Sequence, residues 1–387
     1  MKNIIMRRLG SERANLMMRK IIMNEYGFAM KKAVMDNAIL LLRKIGIGKI
    51  GLSMKTHTSR KVAVACTLLL SVGLVTGCSQ VTNTLLGSNG LEGIGSKYTI
   101  TLIAKAEEGI FWSNVHAGAS AASTEYNLNL VFKGPENEED YMTQNQMILQ
   151  AVEDGTDAIV FSAIDFLANA TAIDQAAAAG VKIVVIDSDV NSDKVRSRIG
   201  TDNYGAGRVA GEAVLSSDKP QLNIGIVNFN VITENGQSRE RGFRSVVAED
   251  PRARIIDTIN VISTVEYAKE GTIEMLERNP EINVIATFNE WTSLGVGFAM
   301  REIGEERDIT VVAFDSNVYS VDMLENGEIN ALVIQSPYAI GYLGVEVAYR
   351  LLQGSGVEEV IYTPVMLATR ENMYDEEYKR LIFVFDK

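Results

Sequence analysis

Short clusters along the chain combine planar polar side chains with aromatic ones. Glu107–Trp112 reads EEGIFW and Glu234–Phe243 reads ENGQSRERGF, while Asp187-Ser188-Asp189, Asn289-Glu290-Trp291, Asp315-Ser316-Asn317 and Gln335-Ser336-Pro337 each follow an apolar run. Carboxylates, amides and guanidinium groups pair with vicinal hydroxyls as acceptors and donors. Aromatic faces cover the C–H faces of a sugar ring. This mixture suits a neutral polyol or sugar better than an anion or a lipid. Catalytic sets are scarce. His57 and His116 are the only histidines and Cys66 and Cys78 the only cysteines, so a histidine triad or a zinc site has little to work with. Asp187–Asp193 starts like a calcium loop, but Ser192 stands where that loop needs glycine and Arg198 where it needs glutamate, so it reads as a turn. Gly205-Ala206-Gly207-Arg208-Val209-Ala210 fits G-x-G-x-x-A and is better explained as small residues for helix packing. No catalysis, no cofactor and no metal are expected.

The elements that must position these clusters alternate. Apolar, β-branched runs predict strands at Tyr98–Ala104, Leu128–Phe132, Ala158–Phe161 and Val181–Ile186, with a fifth beginning at Arg198–Gly200. Helical spacing lies between them at Phe111–Tyr126, Asp140–Asp154 and Ala168–Ala179. A second series has strands at Asn223–Asn228, Ile255–Val261, Val284–Thr287, Thr310–Phe314 and Ala331–Gln335. Its helices are Tyr204–Leu215, Ser238–Glu249, Glu266–Glu277, Trp291–Ile303, Val318–Glu325 and Ala339–Leu352. Strands apolar on both faces belong in parallel sheets covered on both sides. The fold class is therefore α/β, with two doubly wound parallel-sheet lobes. Ligands of such sheets sit beyond the C-terminal strand ends, which is where the polar clusters fall.

From about residue 98 to 370 the chain resembles the ribose- and galactose-type periplasmic sugar-binding proteins of ABC transporters. Phe111-Trp112 matches the family's aromatic pair, and Ile186-Asp187 its sugar-binding aspartate. Ile199–Asn203 with Gly207 and Gly211 matches the lobe-crossing motif, and Arg239–Phe243 the R-x-R-G-F run. Asn289 stands at the asparagine of N-D-x-x-A-L-G, and Phe314-Asp315 and Gln335 at the last polar ligands. The resemblance implies a type 1 periplasmic binding protein fold with a three-crossing hinge near 201–203, 335 and 366–369. It implies an N-terminal lobe of 98–202 plus 336–366 and a C-terminal lobe of 203–335 plus 367–387. The implied ligand contacts are Phe111, Trp112, Asp187, Arg239, Asn289, Trp291, Asp315 and Gln335. Arg241 reads as a brace for its loop. Asp187 and Asp315 have helix capping as an alternative role, and Trp291 either caps the pocket or packs as a first helical turn. The sequence departs from the family at Ser188, where ribose-type members have arginine, at Glu290-Trp291 and at Glu107-Glu108-Gly109.

Ahead of the lobes stands an export signal. Val62–Gly77 carries no charge, follows Arg60-Lys61 and ends in small residues before Cys78. Its sixteen residues fall short of the roughly 20 of a membrane span. Leu74–Cys78 resembles a bacterial lipobox, which implies lipidation of Cys78. Residues 54–77 then form the signal, 78–97 a Gly/Ser/Asn-rich tether, and 1–53 a basic extension that is either spurious or disordered. Of the charged residues, 14 basic and 3 acidic precede Cys78, leaving a net charge of −23 on the rest. Such a surface repels nucleic acid and anionic lipid. The expected partners are a sugar, an ABC transporter permease and, through the lipid on Cys78, the outer face of the cell membrane. The protein is expected to act as a monomer. A sugar-sensing co-receptor for a membrane kinase or chemoreceptor is the alternative.

Overall fold

The computed structural model describes residues 97–304 and 307–382. The extension, the signal, Cys78 and the tether up to residue 96 lie outside the described residues. Among the described residues, twelve strands form two six-stranded sheets. The first holds β1 (Thr99–Ile103), β2 (Asn129–Lys133), β3 (Ala158–Phe161), β4 (Lys182–Ile186), β5 (Ser197–Thr201) and β11 (Val360–Thr363), in the order β11-β5-β4-β3-β1-β2 and wholly parallel. The second holds β6 (Leu222–Phe229), β7 (Ala253–Val261), β8 (Val284–Thr287), β9 (Thr310–Phe314), β10 (Ala331–Ile334) and β12 (Met366–Thr369), in the order β12-β10-β9-β8-β6-β7. Only β12 runs antiparallel to its neighbour. The central strands AIVF, VIAT and ALVI are buried at every residue, as strands covered on both faces must be.

The helices are α1 (Ile110–Glu125), α2 (Tyr141–Glu153), α3 (Ala170–Ala178), α4 (Asn203–Leu215), α5 (Glu234–Val247), α6 (Val265–Arg278), α7 (Glu290–Ile303), α8 (Val318–Asn326), α9 (Pro337–Leu352) and α10 (Glu376–Ile382). Their starts are written locally. Asp140, Asp202 and Thr264 cap α2, α4 and α6, and Asn289 and Asn317 form capping boxes on α7 and α8. Apolar clusters cover both faces of each sheet.

The chain passes between the sheets three times, from β5 into α4, from β10 into α9 and from β11 into β12. Helix α9 packs on the first sheet with α1, and α4 on the second with α5. Each pair approaches through glycines. A Cβ on Gly118 or Gly341 would come within 2.0 or 1.9 Å of a carbonyl oxygen of the facing helix, and one on Gly242 or Gly207 equally within 2.0 or 1.9 Å. The Gly205–Ala210 pattern thus packs a helix, and Gly207 seats the backbone of Arg239.

Some boundaries differ from the sequence reading. Helix α5 starts at Glu234 instead of Ser238, because Thr233 already has extended backbone and Glu234 supplies an acid for the first turn. Strands β11 and β12 and helix α10 carry no strong periodicity and were not anticipated. The two strands exist through pairing with β5 and β10.

Candidate ligand-binding cleft

Lys105, Phe111, Trp112, Glu138, Asp187, Asn235, Arg239, Asn289, Glu290, Trp291, Asp315 and Gln335 line one cavity of about 20 Å³. All eight contacts read from the sequence are among them. Lys105 to Asp187 come from the first lobe and Asn235 to Asp315 from the second, with Gln335 at the second crossing. Every one lies at or just beyond the C-terminal end of a strand, or in the first turns of the helix that follows.

The hinge side of the cavity is a polar network. Arg239, 1% exposed, donates from Nε to Asn203 Oδ1 at 2.9 Å, from Nη1 to the Phe288 carbonyl at 2.7 Å and from Nη2 to Gln335 Oε1 at 2.6 Å. Thr201 Oγ1 donates to the same Gln335 oxygen at 2.8 Å, and Gln335 Nε2 donates to Asp315 Oδ1 at 2.7 Å. The Arg239 guanidinium also lies 4.9 Å from the centre of the Phe314 ring, a cation–π distance. One arginine therefore joins two crossings to the floor of the site. Arg241 pairs with Glu234 at 2.6 Å on the outside of α5.

The first lobe supplies a buried lysine. Lys105 Nζ stands 3.6 Å from Glu138 Oε2 and 3.8 Å from Asp187 Oδ2, 5.3 Å from the centre of the Phe229 ring. Asp187 accepts from Ser162 Oγ at 3.0 Å and from Asn235 Nδ2 at 3.1 Å. Glu138 accepts from Trp112 Nε1 at 2.9 Å and from Ser263 Oγ of the second lobe at 3.1 Å. Phe111 and Trp112 meet edge to face at 5.1 Å.

Asp187 and Asp315 do not cap helices. Both have positive φ, 56° and 68°, a region where non-glycine residues are uncommon and cluster at functional sites. Asn289 caps α7 through Oδ1 while its Nδ2 donates to Ser263 Oγ at 2.8 Å. Trp291 occupies the first turn of α7 and also crosses the cleft, because a Cβ on Gly109 would stand only 3.2 Å from its ring. Ser188 is buried and does not line the cavity. Burial pushes Glu290 up to about 7 and Asp315 up to about 6, the latter despite Arg239.

Across the mouth the lobes bond to each other. Ser263 N–H donates to Glu139 Oε1 at 3.0 Å, Asn230 Nδ2 to Glu139 Oε2, and Phe166 N–H to the Ile232 carbonyl at 3.0 Å. The lobes are closed on the site.

Lys105 and Glu138 were not singled out from the sequence, and Asn235 appeared there only within the polar run 234–243. Lysine after a strand and the acidic run Glu136–Asp140 look like solvated surface. The first turn of α5, which begins at Glu234, is what turns Asn235 onto the cavity. Among the described residues no group of three or more His, Cys, Asp and Glu side chains could hold a metal ion, and no helix is long and apolar enough to cross a membrane.

The periplasmic binding protein domain matches residues 100–356. The ribose import binding protein RbsB of Bacillus subtilis is 26% identical over 314 residues, 80% of this chain and all of that protein. The D-ribose/D-allose-binding protein of Pseudomonas aeruginosa is 26% identical over 70% of this chain and 89% of its own length. A carbohydrate transporter solute-binding protein from Agrobacterium radiobacter, solved with D-arabinose, superposes with a TM-score of 0.72 at 28% identity, covering 74% of this chain and 99% of that one. The two lobes, their three crossings and this match over most of the folded residues place the chain in the periplasmic binding protein family.

Proposed function

We propose that this protein captures a monosaccharide-like sugar between its lobes by hinge closure and delivers it to the permease of an ABC transporter. The observation that carries the reading is the convergence of amide, carboxylate, guanidinium and aromatic side chains from both lobes on one cavity. Phe111, Trp112 and Trp291 are assigned to the ring faces, and Asp187, Arg239, Asn289, Asp315 and Gln335 to the hydroxyls. A cavity of about 20 Å³ is far below the roughly 300 Å³ at the lower end of ligand pockets. A sugar therefore enters only when the lobes part, and its contacts to both lobes then favour the closed state. The relatives named for ribose import and ribose or allose binding, and the neighbour holding D-arabinose, support a sugar as the ligand. They are binding proteins, which agrees with a non-catalytic role. The family places the lobes outside the cytoplasm, and Cys78, lipidated, would tether a monomer to the membrane there.

A thermal-shift titration with D-ribose, D-allose, D-arabinose, D-galactose and D-glucose tests this. A ligand that binds the folded state raises the melting temperature with concentration. One sugar should do so, and Asp315→Ala should abolish the effect. Consumption of the sugar, or no response to any member of a broad panel of neutral sugars, would contradict the proposal.

A further inference from the structure

The first N–H groups of a helix have no acceptor within it. At α1 the N-cap is Gly109, which has no side chain to supply one and sits at φ 113°. The acceptor comes from the other lobe. Phe111 N–H donates to Glu290 Oε2 at 3.0 Å, and the second oxygen of Glu290 accepts from Asn317 Nδ2 at 3.0 Å. A Cβ on Gly109 would stand 3.7 Å from Glu290 Oε2 and 3.2 Å from the Trp291 ring. Glycine at this place therefore lets the Glu290-Trp291 turn seat against the α1 start. The same turn of α1 carries Phe111 and Trp112, both on the cavity wall.

We propose that Glu290 is a positioning residue that caps helix α1 across the cleft, a contact made only on closure, and so seats Phe111 and Trp112 against the ligand. The proposal rests on the hinge-closure reading above. The charged groups around Glu290 give it a signature. Asp315 from the end of β9 and Glu138 from the β2–α2 loop both repel its charge. Lys105, after β1, stands beside Glu138 and Asp187, and Arg239, on α5, is bonded to Asn203, Gln335 and the Phe288 carbonyl. Glu107 and Glu108, just ahead of Gly109, are exposed. Burial first, then these carboxylates, hold Glu290 up at about 7 when closed, against the pull of the Phe111 N–H and the Asn317 amide. Parting the lobes returns the group to water and its ordinary range. A raised value in the closed state means that closure takes up a proton. The closed form is favoured in acid, and that advantage is lost as pH rises through about 7.

The test is a calorimetric titration with D-ribose and D-arabinose at about pH 6 and about pH 8.5, with small-angle scattering of the unliganded protein at both. Affinity of the wild type should fall about tenfold at the higher pH. E290Q should change by no more than about twofold, a residue left to Asp315. E290A, which removes the cap, should bind about fivefold more weakly than the wild type at about pH 6. A flat wild-type profile, or an E290A variant that matches the wild type at both pH values, overturns the proposal. If neither sugar binds, the sugar reading is in question and scattering decides on Glu290. A radius that grows at high pH in the wild type but not in E290Q supports the cap, and no growth in the wild type overturns it.

Discussion

Asp187 and Asp315 end equivalent strands, β4 and β9, each third in the order of its sheet, and both have left-handed backbone. Their surroundings differ. Asp187 takes hydrogen bonds on both oxygens from Ser162 and Asn235, with Lys105 and Arg239 each 3.8 Å away. Asp315 takes a hydrogen bond from Gln335, and burial leaves it raised to about 6 even with Arg239 near. One strand end holds a carboxylate whose partners are already in place. The other holds a carboxylate short of donors, which the hydroxyls of a bound sugar would supply under the proposed function. The fold repeats the position, and the residues around it decide how far each carboxylate is already paired.

Arg239 serves both aspartates, so Arg239→Ala should have the largest effect. It leaves two buried carboxylates without their shared positive charge and Gln335 without a donor, and should cost about 3–5 kcal/mol in denaturant unfolding. A loss below about 1 kcal/mol would mean that the hinge network does not depend on it. Lys105→Met should convert Asp187 toward the state of Asp315. We expect a loss of about 2 kcal/mol, smaller because its ion contacts of 3.6 and 3.8 Å exceed hydrogen-bond length. Unchanged stability would show that Ser162, Asn235 and Arg239 suffice for Asp187.

The isosteric pair separates the two strand ends further. At about pH 8, Asp187→Asn should cost about 2 kcal/mol, because it strands Lys105 with one partner. Asp315→Asn should cost less than about 1 kcal/mol in the absence of sugar, because the amide oxygen still accepts from Gln335. The pH dependence sharpens this. A carboxyl raised from 3.8 to about 6 on folding contributes most below 3.8, and that contribution is lost as pH rises through about 6. Melting curves across that window should show the loss in the wild type and a shallower slope in Asp315→Asn. Identical slopes would place the titration elsewhere.

Both aspartates were legible before the structure, because each ends an apolar run and matches a family position. The same holds for the buried central strands, whose unbroken apolar runs admit few alternatives. What distinguishes the two aspartates was not legible. Lys105 directly follows a strand and looks like surface, and its burial depends on Phe229, Glu138 and Asp187 from distant parts of the chain. Glu138 lies in a run of acids with no local sign that Trp112 and Ser263 would enclose it. Asn235 stood in a polar run already noted, but its place on a helix was hidden by a start set four residues late, since Gly236 weakens the helical pattern there. Strands β11 and β12 were missed for a related reason, because edge pairing is a tertiary property that short, half-exposed segments do not announce.

If the lobes close around a sugar, small-angle scattering of the protein with and without the saturating sugar identified by thermal shift will show it. The radius of gyration should be smaller with sugar, with no contraction in Arg239→Ala at the same concentration. A sugar that binds tightly while leaving the radius of the wild type unchanged at every pH, with no open form populated, would contradict capture by hinge closure.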